Sequence, residues 1–148
     1  MSLIENRKAK FNYELMEKYE AGIELVGSEV KMLRKGQGSL EGAYVVIRGG
    51  EAYITNMTIP PYQPKNMPDG YDPVRNRRLL LSKKDIGTLA GVDGKKGLTI
   101  VPISVYNKKR FLKVEIAVAR GKRQFDKRET IKRRESDRDI ERTLKDQY

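Results

Sequence analysis

Arg75, Arg77 and Arg78 stand directly ahead of Leu79-Leu80-Leu81. Planar guanidinium groups suit the forked binding of phosphate oxygens and stacking on bases. A further basic stretch runs from Asn6 to Lys10, and the chain closes on a charge-dense segment after Arg120. Lys and Arg total 31 against 20 Asp and Glu, a formal net charge of +11. Such an excess suits a polyanion, because neutralising phosphates releases condensed counterions and makes binding steeply salt-dependent. A merely soluble basic protein carries similar charge, so composition alone only tilts the balance toward nucleic acid. Catalytic chemistry is poorly supplied. Without His or Cys there is no imidazole, thiolate nucleophile or zinc-finger ligand set, leaving Lys, Tyr, Ser and carboxylates. No GxxxxGK[ST] phosphate loop occurs and the acidic residues are scattered, so an enzyme acting on phosphorylated substrates has little support. No cofactor or metal is expected.

The elements that must position these groups are short. A chain of 148 residues suits one compact domain. Ile23 and Leu25 alternate with polar neighbours like a half-buried strand. Ser28 offers an N-cap oxygen to a helix of about two turns carrying Val30 and Leu33, and Gly36 lies just beyond it. Ala43 to Ile47, Arg48-Gly49-Gly50 and Glu51 to Ile59 read as a hairpin. Prolines between Pro60 and Pro73 mark a long connection. Ser82 followed by Asp85 opens a helix ending near Gly91. Strands are expected over Leu98 to Tyr106 and Phe111 to Arg120, joined across Asn107 to Arg110. In the second, Leu112, Val114, Ile116 and Val118 fall on one face, with Lys113 and Glu115 on the other.

The fold class is therefore mainly β with short helices. A small antiparallel β-barrel of oligonucleotide-binding type with flanking helices is preferred to a ferredoxin-like sandwich. Residues 1–120 form this body. Residues 121–148 have too few apolar positions to bury a face and are expected to be disordered alone; ordering on a polyanionic surface and a solubilising extension fit these residues equally. No apolar run is long enough to span a membrane and no secretory signal is visible, so cytoplasmic residence is expected. The protein is also expected to be a monomer in isolation.

Collinear motifs add a resemblance. Tyr19-Glu20-Ala21-Gly22-Ile23, Gly27-Ser28-Glu29-Val30-Lys31, Gly50-Glu51-Ala52-Tyr53, Arg77-Arg78-Leu79-Leu80-Leu81, Lys113-Val114-Glu115 and Ala119-Arg120-Gly121-Lys122-Arg123 resemble successive signatures of SsrA-binding (small protein B) proteins. Each motif is weak alone, but their order along nearly the whole chain is specific. The resemblance implies an antiparallel barrel flanked by helices and an adaptor rather than a catalyst. It implies binding of transfer-messenger RNA and its delivery to stalled ribosomes, with the basic tail becoming helical in the empty messenger channel.

It also nominates residues. Glu20, Leu80 and Lys113 match RNA-binding positions of the family. A carboxylate can accept from guanine's amino edge or from backbone amides, an apolar side chain can pack on a ribose or base, and a lysine binds phosphate. The plain alternatives are a solvated charge, a core leucine and a surface lysine. Asn6, Arg7 and Lys8 match a polar-basic opening, and Arg77 and Arg78 are further candidates. Gly121, Lys122 and Arg123 resemble the hinge of the tail, and Phe125, Asp126, Lys127 and Arg128 the start of its decoding-centre segment. Phe125 stands where the family usually has Tyr or His, which keeps a stacking face and loses a side-chain hydrogen bond. Asn107 stands where an aromatic commonly follows Tyr106. A generic barrel-type, ribosome-associated RNA-binding factor remains the alternative.

Overall fold

The computed structural model describes residues 2–62 and 70–121. Seven antiparallel strands and three short helices follow one another as β1 (Ser2–Glu5), α1 (Arg7–Asn12), β2 (Tyr13–Ile23), α2 (Gly27–Arg34), β3 (Tyr44–Arg48), β4 (Glu51–Thr55), β5 (Arg77–Leu80), α3 (Lys83–Val92), β6 (Leu98–Lys108) and β7 (Phe111–Gly121). The strands form one sheet in the order β1-β6-β7-β2-β5-β4-β3. The sheet curls until β3 lies near β6, but hydrogen bonding does not close it among the described residues. The antiparallel β architecture with short helices is thus present, as an open sheet.

Local chemistry explains most element boundaries. Gly49 and Gly50 join β3 to β4 with φ of 57° and 75°, the left-handed pair that a two-residue hairpin loop requires. The Ser82 hydroxyl accepts the Asp85 amide at 3.1 Å and caps α3. Gly36, at φ 74°, follows α2. Ser28 is not that helix's cap. Val26 occupies the cap position, and the Glu29 carboxylate reaches back to accept the Val26 amide at 3.0 Å. The β6–β7 turn is tighter than expected, because Lys108 pairs with Phe111 and only Lys109 and Arg110 remain outside the ladder.

Leu112, Val114, Ile116 and Val118 face the main core, together with Ile54, Leu79, Leu33 and Leu89. The opposite face of β7 is polar only over half its length. Beyond Lys113 and Glu115, Ala117 and Ala119 are buried with Val101, Ile103 and Ala9 in a second cluster beneath α1. Both α1 and β1 escape sequence reading, since Ala9 is the only buried residue of α1 and β1 is four residues long. Tertiary contacts supply what periodicity lacks. Asn6 caps α1 by accepting the Ala9 amide at 3.2 Å, and its side-chain amide donates to the Pro102 carbonyl at 2.9 Å. Pro102 has no ladder donor and lies beside an irregularity in the β6–β7 register.

Candidate nucleic-acid interface

A cleft of about 200 Å³ opens where β2 ends, between α2 and the β6–β7 turn. Ile23, Leu25, Val30, Leu80 and Phe111 give it apolar walls, and Arg34, Arg110 and Lys113 surround it with cations. Among the described residues no carboxylate lines it. Phe111 is 68% exposed and Leu80 47% exposed, which is costly for large apolar groups unless something covers them. Strand parity puts them there. Leu80 pairs with Gly22, Gly22 with Lys113, and Lys113 with Tyr106, so all four positions share the outer face. Gly22 allows the close approach, because a Cβ at that position would lie 3.2 Å from the Cβ of Leu80. An apolar slot with an exposed ring and cationic edges can stack a base while binding its phosphates.

Glu20 adjoins this cleft on the same face. Its carboxylate spans β7 to accept the Tyr106 hydroxyl at 2.5 Å and the Lys108 ammonium at 3.0 Å. The hydrogen bonds from Tyr106 and then Lys108 hold its pKa below the ordinary carboxylate value, with burial opposing them and Lys113 adding to the lowering. The Tyr106 phenol is pushed well above its ordinary value by burial, then by its hydrogen bond to Glu20 and that group's charge. At neutral pH the pair is therefore a carboxylate accepting from a neutral phenol. Glu20 orients two donors beside Lys113 and retains lone pairs for a further donor.

The candidate residues separate sharply by location. Glu20, Leu80 and Lys113 come together on the outer face. Arg7 and Lys8 are exposed on α1, with Lys8 bonded to Glu41 at 2.6 Å. Asn6 does not present itself to a ligand. It is 6% exposed, and its donors and acceptor are used to cap α1 and tie it to the Leu40 and Pro102 carbonyls. Arg77 must also be reassigned. It points inward at 0% exposure, where it binds Glu29 and the carbonyls of Met57, Arg75 and Pro73. Its neighbour Arg78 points outward but pairs with Glu24 at 3.1 Å and Glu51 at 3.0 Å. Gly121 ends β7 opposite Tyr13. Lys122, Arg123, Phe125, Asp126, Lys127 and Arg128 lie outside the described residues.

Sequence reading missed Phe111, Arg34 and Arg110 as parts of this cleft. Phe111 begins a strand and looks like core until the two-residue turn places it on the outer face. Arg34 looks like a helix-end charge. Among the described residues no cluster of acidic side chains could hold a metal ion, and no helix is long and apolar enough to cross a membrane.

The family model for SmpB protein matches residues 3–146. The chain belongs to the SmpB family. SmpB relatives include the SsrA-binding protein of Gloeothece citriformis (strain PCC 7424), 48% identical over 97% of this chain and 92% of that protein. The SsrA-binding protein of Latilactobacillus sakei subsp. sakei (strain 23K) is 47% identical over 97% of this chain and 91% of that protein. A solved SmpB chain described as "tmRNA-SmpB: a journey to the center of the bacterial ribosome" superimposes with a TM-score of 0.68 at 43% identity. That superposition covers 86% of this chain and 92% of the solved one.

Proposed function

We propose that this protein binds transfer-messenger RNA and delivers it to stalled bacterial ribosomes for trans-translation. Family membership over nearly the full chain, with the likeness to a chain described in tmRNA–SmpB complexes on the ribosome, supports the reading. The observation that carries it to particular residues is the outer cleft, where exposed Phe111 and Leu80 sit among Arg34, Arg110 and Lys113, with no carboxylate among the described lining residues. Leu80 and Phe111 receive a base or ribose, Lys113 binds phosphate, and Glu20 orders Tyr106 and Lys108 beside them. Arg7 and Lys8 assist from α1. The curl that brings β3 near β6 supports treating the sheet as a small barrel whose outer wall is the binding surface.

The protein acts as an adaptor in the cytoplasm and performs no reaction of its own. Residues 121–148 form its ribosome-directed segment, with Gly121, Lys122 and Arg123 as the hinge. Phe125, Asp126, Lys127 and Arg128 meet the decoding centre, and the remaining residues enter the empty messenger channel. The direct test measures affinity for transfer-messenger RNA and for bulk cellular RNA at moderate salt. Clear preference for the former is expected, and equal affinity would reduce the protein to a generic RNA-binding factor. Deleting residues 121–148 should leave RNA capture largely intact and abolish peptide tagging. Loss of RNA capture on that deletion would overturn the division of labour.

A further inference from the structure

Carboxylates meet some cations of the body and leave others alone. Lys8, Lys18, Arg75, Arg77, Arg78 and Lys108 each pair with a glutamate. Lys31, Arg34 and Lys35 at the end of α2, with Lys109, Arg110 and Lys113 around the β6–β7 turn, form no ion pair among the described residues. We propose that these six cations form one phosphate track, extending the RNA interface from the Leu80–Lys113 cleft along α2 to Tyr62. Its occupant is the phosphodiester backbone leading away from the nucleotide seated in the cleft, so the proposal rests on the RNA-binding reading above.

Continuity comes from Arg34. It lines the cleft beside Arg110 and Lys113, and its guanidinium donates to the Arg110 carbonyl at 3.3 Å. Lys31 lies three residues before Arg34 on α2, on the same side of the helix, and Lys35 is four residues from Lys31. Their ammonium groups approach the Tyr62 ring to 5.2 and 4.7 Å from its centroid. The ring attracts both through its quadrupole and so fixes two long side chains that would otherwise move independently. Two like charges brought to one ring repel each other, and an anion between or beside them relieves that repulsion. The helix dipole favours cations at the end of α2, but it does not reach Lys109, Arg110 and Lys113 on another element. Lys109 also holds a left-handed backbone at φ 58°, a conformation that glycine or asparagine adopts at less cost. A track of unpaired cations leading into a slot with an exposed aromatic ring fits alternating phosphates and bases. An acidic peptide would have no use for the ring.

The test uses the full chain and the transfer-RNA-like part of transfer-messenger RNA, with affinity measured across a KCl series. The triple variant Lys31→Gln, Arg34→Gln, Lys35→Gln should flatten the log–log salt slope by about 2–3, since each lost phosphate contact is worth about 0.9. The double variant Lys31→Arg, Lys35→Arg should keep the native slope. If the triple variant fails to fold, the single variants Lys31→Gln and Lys35→Gln serve instead, each flattening the slope by about 0.9. A native slope in a variant with an unchanged melting temperature overturns the track. Phe111→Ala, in the cleft but not in the track, separates the two claims. Weakened binding there with an unchanged slope in the triple variant removes only the track, whereas unaltered binding removes the cleft reading itself. Backbone footprinting should show protection lost beyond the cleft in the triple variant. Protection confined to the cleft in the native protein, with an acidic peptide binding at α2 instead, also overturns the proposal.

Discussion

The buried cluster around Glu29 and the outer cleft around Lys113 use similar residue types for opposite ends. Glu29 is 1% exposed and accepts from Arg75 and Arg77, with the Val26 amide and the Tyr71 hydroxyl completing its shell. Arg77 in turn donates to the Met57, Arg75 and Pro73 carbonyls, so one guanidinium pins the connection ahead of β5 to the residues following β4. A buried charge must have this saturation, because desolvation is otherwise prohibitive. In the cleft Arg34, Arg110 and Lys113 form no ion pair among the described residues, and Leu80 and Phe111 stand exposed. The first region satisfies its charges internally, and the second keeps cations and apolar groups open to solvent. Arg77 and Arg78 show how narrow the boundary is: adjacent in sequence, they point to opposite faces of β5.

The comparison breaks most visibly at Glu29. Replacing it with Ala should cost about 3–5 kcal/mol of stability, the usual loss when one partner of a buried ion pair is removed. Urea unfolding would measure it, and RNA affinity of the folded fraction should hold. Acid gives the same comparison without a mutation. Burial alone would raise the Glu29 pKa, but hydrogen bonds from Arg75, the Val26 amide and Arg77 outweigh it and leave the pKa lowered. Its contribution is thus fully present above the unfolded carboxylate value of about 4.3 and is lost as pH falls through the folded value. Stability followed by pH titration should fall in that window, and the fall should be smaller in Glu29→Gln.

Phe111→Ala tests the other region. It should weaken transfer-messenger RNA binding by about 1–3 kcal/mol, the usual worth of one base-stacking ring, with little change in melting temperature. A large loss of stability would place Phe111 in the core and erase the contrast. Asn6→Ala should lower stability by about 1 kcal/mol through loss of the α1 cap, without altering the salt slope of RNA binding. The smallest effect is expected at Lys8, since exposed ion pairs such as that with Glu41 contribute at most about 1 kcal/mol. A thermal melt of Lys8→Ala should be nearly native.

Legibility followed the range of the interactions. The hairpin at Gly49-Gly50, the cap at Ser82 and the alternation from Leu112 to Val118 could be read because their signals are local. Helix α1 could not, because it depends on Asn6 reaching carbonyls far along the chain. Asn6 and Arg77 carried the signature of RNA contacts and proved to be structural, since residue type does not reveal which face of an element looks outward. Glu20, Leu80 and Lys113 were nominated separately along the chain, and β-sheet register brought them to one surface.

By itself the sequence determined an antiparallel β body, a cationic balance and membership of an RNA-binding family, because composition, turn chemistry and ordered motifs are properties of the chain. Only the tertiary structure decided which cations are available. Availability depends on burial and on whether a carboxylate distant in sequence arrives within reach, and both are fixed when the sheet curls and its strands choose their register.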